Sequence, residues 1–265
     1  MKNYTLITGA SSGIGKALAS VFASKGHKLI LVARRQQLLD RLATELNQEY
    51  NVKVRIVCCD LTSERNIRDL CSLIQSNRIH IDTLINNAGV GDFAPFLKSD
   101  HGKMQKMISL NINAVLSLTH HILPLMVKQG YGQILNVASM AAFSPGPYIA
   151  AYAASKSFVL NFTHALASEV KHKNIQVSVL CPGDIKTEFQ DNAGLKGFDV
   201  QSKITVEELA AYTYKEFVEE GKREIILPET KKMIEMMNRS GNIELISDNM
   251  YRLRKKLAEK LGKFK

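Results

Sequence analysis

A chain of 265 residues, 45% of them hydrophobic, is long enough to bury one large core, and its formal charge of +10 is concentrated near one end. No apolar run of about eighteen residues is present, which argues against a membrane-spanning helix, and MKNYTLITGA enters a strand and glycine loop directly, so a cytoplasmic protein without a signal peptide is expected. Cys58, Cys59, Cys71 and Cys181 lack Cys-x-x-Cys spacing, and adjacent Cys58 and Cys59 sit in an apolar strand, which argues for buried free thiols in a reducing compartment and against a metal centre.

Apolar runs alternate with amphipathic stretches from the start, the pattern of βαβ units around a parallel sheet. Strands are predicted near Thr5–Thr8, Lys28–Ala33, Lys53–Cys59, Thr83–Asn86, Gln133–Ala138, Gln176–Cys181 and Glu224–Leu227. Helices are predicted near Ile14–Lys25, Gln36–Tyr50, Ser63–Ser76, Lys103–Lys128, Tyr152–His172 and Thr205–Glu219. Near-continuously apolar strands imply a sheet covered on both faces, with ligands at the strands' carboxyl ends.

The first strand runs into TGASSGIG, so Gly9, Ser11, Ser12, Gly13, Ile14 and Gly15 lie in its turn into the helix. The spacing is not G-x-G-x-x-G, but glycine still permits a tight turn, and N–H groups at a helix start hold a pyrophosphate. The second strand, LILVARR, has Ala33 where an acid would accept hydrogen bonds from the adenosine ribose, followed by Arg34 and Arg35. Arginines pair well with a 2′-phosphate, which favours NADP(H) over NAD(H).

Asp60 and Leu61 in CCDLT stand where an adenine would be flanked, though Asp60 also suits a helix N-cap. DTLINNAG brings Asn86, Asn87, Ala88 and Gly89 to the fourth strand's end, with an asparagine pair able to join strands and a glycine able to pass a cofactor closely. Asn111 in MISLNINAV is mildly unfavourable inside a helix and asks for a reason. His120 and His121, adjacent on a helix, diverge and form no metal site.

The chemistry converges on SMAAFSPGPYIAAYAASK. Tyr152 and Lys156, one helical turn apart, share a face, and Ser139 ends an apolar strand that would deliver its hydroxyl to the sheet edge. A free tyrosine titrates near pH 10, and a neighbouring ammonium favours its phenolate, so the pair is a candidate proton donor and acceptor. After the sixth strand, PGDIKTEF offers Pro182, Gly183, Ile185 and Thr187 to a nicotinamide, and Asp184 to Ile204 reads as a lid. Phe93, Phe143 and Phe189 follow strand-end turns and are candidates to line an apolar substrate pocket.

The last fourteen residues, RLRKKLAEKLGKFK, hold seven basic side chains and one acid. A solvated helical tail is the plain reading, with Leu253, Leu257 and Leu261 leaving room for a partner subunit or an anionic membrane surface. No aromatic-basic signature supports nucleic-acid binding.

In order and spacing these motifs resemble the short-chain dehydrogenases/reductases, in their short single-domain branch, from about Lys2 to Leu227. The resemblance implies a doubly wound Rossmann-type α/β domain of about seven strands over residues 1–228, with a basic helical extension at 229–265. It implies hydride transfer between a nicotinamide and a carbonyl or secondary alcohol, with Tyr152 exchanging the oxygen's proton. Ser139 would orient that oxygen, Lys156 would hold the nicotinamide ribose, and Asn111 would hold a water beside Lys156. It further implies a homodimer or homotetramer paired through the Lys103–Lys128 and Tyr152–His172 helices. An apolar ketone or 3-oxoacyl group suits Met140, Ala141 and Ala142 beside Ser139. A dinucleotide sensor without turnover is the second reading, but it has little need of four catalytic-type residues.

Overall fold

In the computed structural model, which describes residues 3–196, 202–238 and 242–262, seven parallel strands form one sheet. They are β1 (Tyr4–Thr8), β2 (Lys28–Ala33), β3 (Val54–Cys58), β4 (Ile81–Asn86), β5 (Gly132–Val137), β6 (Ile175–Leu180) and β7 (Glu224–Ile225), in the order β3-β2-β1-β4-β5-β6-β7. The order reverses between β1 and β4, which opens a crevice at their carboxyl ends. Alternation along each strand sends Ile7, Leu29, Leu31 and Ile85 to one face and Leu6, Ile30, Val32 and Leu84 to the other. Both sets are buried, which is why the strands read as unbroken apolar runs.

Helices α1 (Gly13–Ser24), α2 (Gln36–Tyr50) and α8 (Val206–Tyr214) cover the first face. Helices α3 (Glu64–Ser76), α5 (Ala114–Gln129) and the end of α6 (Ala150–Glu169) cover the second. Thr205 starts α8 with a reciprocal capping box to Glu208. Asn86 Nδ2 donates to Asn136 Oδ1 at 2.9 Å and to Thr119 Oγ1 at 3.2 Å, and Asn136 Nδ2 donates to Thr163 Oγ1 at 3.0 Å. This buried polar ladder ties β4 and β5 to α5 and α6, as the asparagine pair suggested.

Three expectations change. The long helix predicted over Lys103–Lys128 is α4 (His101–Ile108) and α5 joined by a π-helical turn, Ser109–Asn113. Those elements make 29 continuous helical residues apolar enough to cross a membrane, although the sequence carries no uninterrupted apolar run. The stretch is instead laid on the sheet, with Leu118, Ile122 and Met126 buried against it. Third, β7 is shorter than Glu224–Leu227, because Pro228 opens α9 (Pro228–Asn238). The predicted lid holds the short helix α7 (Phe189–Asn192), while its positions 197–201 lie outside the described residues.

The basic tail forms α10 (Ile243–Lys260) and packs on its own chain. Ala258 is fully enclosed, and Leu257 and Leu261 pack with it against Phe93 and Tyr148, whereas Leu253 is exposed. Tyr251 stacks on Tyr148 with ring centroids 5.7 Å apart, and Arg254 Nη1 donates to the Pro147 carbonyl at 3.2 Å.

Candidate active site

The glycine turn between β1 and α1 is shaped by close packing. Gly9 takes φ +66°, and a Cβ there would stand 2.9 Å from Ala88 Cα. At Gly15 a Cβ would lie 2.4 Å from the Gly9 carbonyl oxygen. Ser12 precedes α1 without capping it, so the first-turn N–H groups have no side-chain acceptor. Thr8 Oγ1 accepts from the N–H groups of Asn87 and Ala88, each at 3.0 Å, and Asn87 Nδ2 donates to the Thr8 carbonyl at 2.8 Å. The turn and the β4 end are thus locked together across the crevice.

Arg35 lies over this turn. Its Nη2 donates to Ser12 Oγ at 2.7 Å and to Ser11 Oγ at 3.0 Å, and its Nη1 pairs with Glu188 Oε2 at 2.8 Å. Arg34 is exposed beside it. Asp60 Oδ1 accepts from the Thr62 amide and hydroxyl at 3.0 and 2.9 Å, and these hydrogen bonds, the amide's foremost, hold its carboxyl below the usual range. Asp60 therefore organises its own turn. Leu61 beside it is buried in the apolar cluster that holds Leu6, Ile30 and Ile67.

Ser139 follows β5, and its Oγ accepts from the Ala141 amide at 3.1 Å. Tyr152 and Lys156 stand on the first turns of α6, with Ser139 beside the Tyr152 phenol and acting to lower its pKa. Lys156 is buried; its Nζ donates to the Val137 carbonyl at 2.8 Å and lies 6.0 Å from the Tyr152 ring centroid. Burial pushes the phenol up to about 12 and the ammonium down to about 8. The sequence leads one to expect Lys156 to favour the phenolate; in the structure the net direction at Tyr152 is upward, and desolvation is the leading cause of both shifts.

The π turn explains Asn111. Its Oδ1 accepts from the Val90 amide at 3.0 Å, while its Nδ2 donates to the Val90 carbonyl at 2.9 Å and to Ser155 Oγ at 3.0 Å. A Cβ on Gly89 would lie 3.2 Å from Asn111 Oδ1 and 3.3 Å from Lys156 Nζ. Glycine there keeps open a cradle floored by an amide oxygen and an ammonium, beside the Tyr152 helix. Such a cradle, the uncapped helix start and the two arginines suit a dinucleotide's ribose, pyrophosphate and phosphate respectively.

Pro182 and Gly183 end β6; the Pro182 carbonyl accepts from the Met140 amide at 2.8 Å, and a Cβ on Gly183 would meet Thr230 Oγ1 at 2.7 Å. Ile185 is buried in the core beneath the glycine turn. Thr187 lies against Gly13, where an added Cβ would be 3.3 Å from its own. Its hydroxyl is bound within its loop, accepting from the Phe189 amide at 3.2 Å.

Of the three phenylalanines, Phe189 is the one at the site, its ring 5.5 Å from that of Tyr152. Phe93 is 2% exposed and stacks on Tyr148 under α10, and Phe143 packs against the cluster around Val115 and Val159. Neither is brought to Tyr152 as a pocket wall; a strand-end position in sequence does not tell which side a ring takes. The cleft beside Tyr152 is small, about 20 Å³, and is instead lined by Asp92, Ala94, Phe96, Ser99, Met104, Met107 and Tyr148. A larger groove of about 400 Å³ between α5 and α6, near His120 and Phe162, is remote from this chemistry. Sequence reasoning missed Tyr148, whose only signal is the dense PGPY turn; it takes φ +67° between Phe93 and Tyr251.

Sheet order, glycine turn and a Ser-Tyr-Lys cluster at the switch point define a doubly wound α/β protein of the dinucleotide-dependent oxidoreductase class. Residues 3–196 match the family model for short chain dehydrogenase, and the chain belongs to that family. It is 36% identical over 192 residues to a very-long-chain 3-oxoacyl-CoA reductase of Vanderwaltozyma polyspora, covering 67% of this chain and 54% of that protein. It is also 36% identical over 191 residues to sulfoacetaldehyde reductase 2 of Chromohalobacter salexigens, 71% of this chain and 75% of that one. The chain thus spans about half the length of the yeast relative. Among solved structures, a short-chain dehydrogenase from Sphingobium yanoikuyae in complex with NADPH superposes with a TM-score of 0.82 at 31% identity, over 90% of this chain and 94% of that one.

Proposed function

We propose that the protein is an NADP(H)-dependent carbonyl reductase or secondary-alcohol dehydrogenase acting on an apolar ketone or 3-oxoacyl-type substrate. The observation that carries this is Tyr152 beside Ser139 at a cleft of the sheet's carboxyl edge, one turn from buried Lys156. Arg34 and Arg35 would hold the 2′-phosphate, the α1 N-terminus the pyrophosphate, and Gly89, Asn111 and Lys156 would border the nicotinamide ribose. Bound NADPH supplies the hydride to the carbonyl carbon.

The chain's own residues then manage the oxygen. Ser139 donates a hydrogen bond to it and fixes its position. Tyr152 gives it a proton as negative charge develops, and a phenol held at about 12 stays protonated at neutral pH, ready for a more basic alkoxide. Phe189 packs on Tyr152 and helps exclude water. The relatives support a reductase but differ in substrate polarity: one is named for an acyl-CoA and one for a sulfonated aldehyde. Ala94, Phe96, Met104 and Met107 support the apolar choice, while Asp92 and Ser99 line the same cleft. Self-association through the exposed groove between α5 and α6 accompanies this reading.

An NADPH oxidation assay across a carbonyl panel tests it. Turnover of long-chain 3-oxoacyl thioesters or bulky ketones is expected; activity confined to strongly polar carbonyls would overturn the substrate class.

A further inference from the structure

The guanidinium that the NADP reading needs is already taken. Arg35 has five N–H groups. Nε donates to Ser11 Oγ at 3.2 Å, Nη2 donates to Ser11 Oγ at 3.0 Å and Ser12 Oγ at 2.7 Å, and Nη1 pairs with Glu188 at 2.8 Å. A phosphate held bidentately needs two parallel N–H groups. The serine hydroxyls are neutral and rotate; Glu188 carries a full charge on the same cation. A dianionic phosphate and a carboxylate on one guanidinium repel each other, so one must leave.

Glu188 sits 153 positions away, at the start of the short lid helix. Its neighbours bind that lid to two parts of the site. Thr187 rests on Gly13 of the dinucleotide turn. Phe189 fills the space over Gly91, where a Cβ would stand 2.8 Å from its ring, and packs on Tyr152. The Arg35–Glu188 pair therefore joins the adenosine end of the crevice to the wall of the catalytic tyrosine.

We propose that Glu188 is a specificity-determining residue that competes with the dinucleotide 2′-phosphate for Arg35, so that NADP(H) binding releases the lid from the glycine turn while NAD(H) binding leaves it latched. The inference rests on the NADP reading above. Glu188 sets how much of the phosphate's attraction appears as affinity, and makes lid release a response to the phosphorylated cofactor.

Equilibrium titration of the full chain with NADPH, NADH and 2′,5′-ADP tests it, by quenching of protein fluorescence or calorimetry. Half-exposed ion pairs are weak, so Glu188→Gln is expected to tighten NADPH and 2′,5′-ADP about two- to five-fold and to leave NADH unchanged. Arg35→Gln should weaken NADPH, and Glu188→Gln added to it should give no further gain. Unchanged or weaker NADPH binding in Glu188→Gln, with Arg35→Gln still impaired, overturns the competition and leaves the NADP reading standing. Wild-type protein that binds NADH as well as NADPH, with Arg35→Gln without effect, overturns the NADP reading itself. Glu188→Ala, which removes the charge without a replacement amide, must behave as Glu188→Gln does; a divergence would assign the effect to the new amide.

Discussion

Asn111 Nδ2 donates to Ser155 Oγ at 3.0 Å, and Ser155 Oγ donates in turn to the carbonyl of Tyr152 at 2.7 Å. The π turn of the long helix is thereby wired to the residue that handles the proton. Because the same asparagine also holds both backbone groups of Val90, one side chain sets the spacing between the β4 loop and α6.

Removing it should cost both stability and rate. Asn111→Ala strands the Val90 groups in a poorly solvated place, a loss of about 1–3 kcal/mol. Ser155→Ala leaves the Asn111–Val90 pair intact and should cost about 0.5–1.5 kcal/mol. Urea melts give the first quantity and steady-state kinetics the second; kcat is expected to fall more than cofactor affinity in Asn111→Ala. An Asn111→Ala protein as stable and fast as wild type would show that the bulge needs no clamp.

The parts of this site legible in the sequence were those encoded by local spacing. Tyr152 and Lys156 share a face because they are four apart on a helix, and TGASSGIG announces its turn because glycine alone fits there. The seven strands were legible because a sheet covered on both faces demands apolar runs. What was not legible depends on distant partners. Phe93 looks like a pocket residue until α10 is seen to cover it, and Glu188 is an ordinary surface acid until Arg35 arrives from 153 positions away. The upward direction at Tyr152 was not legible either, because its leading cause is burial, a three-dimensional quantity.

That burial fixes a pH dependence of the free protein. Lys156 titrates near 8 when folded and near its ordinary 10.5 when unfolded, so between those values the unfolded chain binds the extra proton. The slope of stability with pH follows the protons bound unfolded minus those bound folded, so this group's contribution rises with pH from about 8 to 10.5. Tyr152 works the other way, keeping its proton when folded up to about 12, and its contribution falls from the ordinary 10.0 upward. The buried thiols of Cys59, Cys71 and Cys181, also pushed up, fall in the same sense, so the variant comparison matters more than the raw curve. Lys156→Met should gain stability over wild type most below pH 8 and least above 10.5, as read by urea unfolding at several pH values. A difference independent of pH would mean the ammonium is not desolvated.

Turnover separates the proton donor from the binding residues. Tyr152→Phe keeps the ring that packs on Phe189 and removes the hydroxyl beside Ser139. NADPH affinity should stay nearly unchanged, while the rate falls about 10²–10⁴-fold, the usual contribution of a positioned acid. Retention of more than about a tenth of the rate would reassign the donor.

The glycine turn offers a test that does not depend on catalysis. A Cβ at Gly15 meets backbone 2.4 Å away, so neither side chain nor solvent can yield; the turn itself must move. Gly15→Ala is expected to destabilise by about 1–3 kcal/mol and to abolish dinucleotide binding, whereas Gly130→Ala, in open space at φ +81°, should cost only its left-handed backbone strain, about 1 kcal/mol. Thermal melts with and without NADPH distinguish the two, because Gly130→Ala should retain the ligand-induced rise in Tm and Gly15→Ala should not.

The C-terminal helix is the last element whose role can be weighed. Ala258 is fully enclosed against Phe93 and Tyr148, and Tyr148 lines the cleft that Tyr152 opens into. An arginine at 258 cannot be buried there unpaired, so the helix must leave its seat. Tyr148 would then lose its stacking with Tyr251, its support in a left-handed backbone conformation, and the wall it gives the cleft would loosen. Ala258→Arg is therefore expected to raise KM for the carbonyl substrate on the order of tenfold, to leave NADPH affinity unchanged, and to speed proteolysis in the segment before α10. Leu253→Ser, on the exposed side of the same helix, should change neither, within about 0.5 kcal/mol. Equal effects on substrate and cofactor would show that the helix supports the whole domain; an effect on substrate alone makes it part of the pocket.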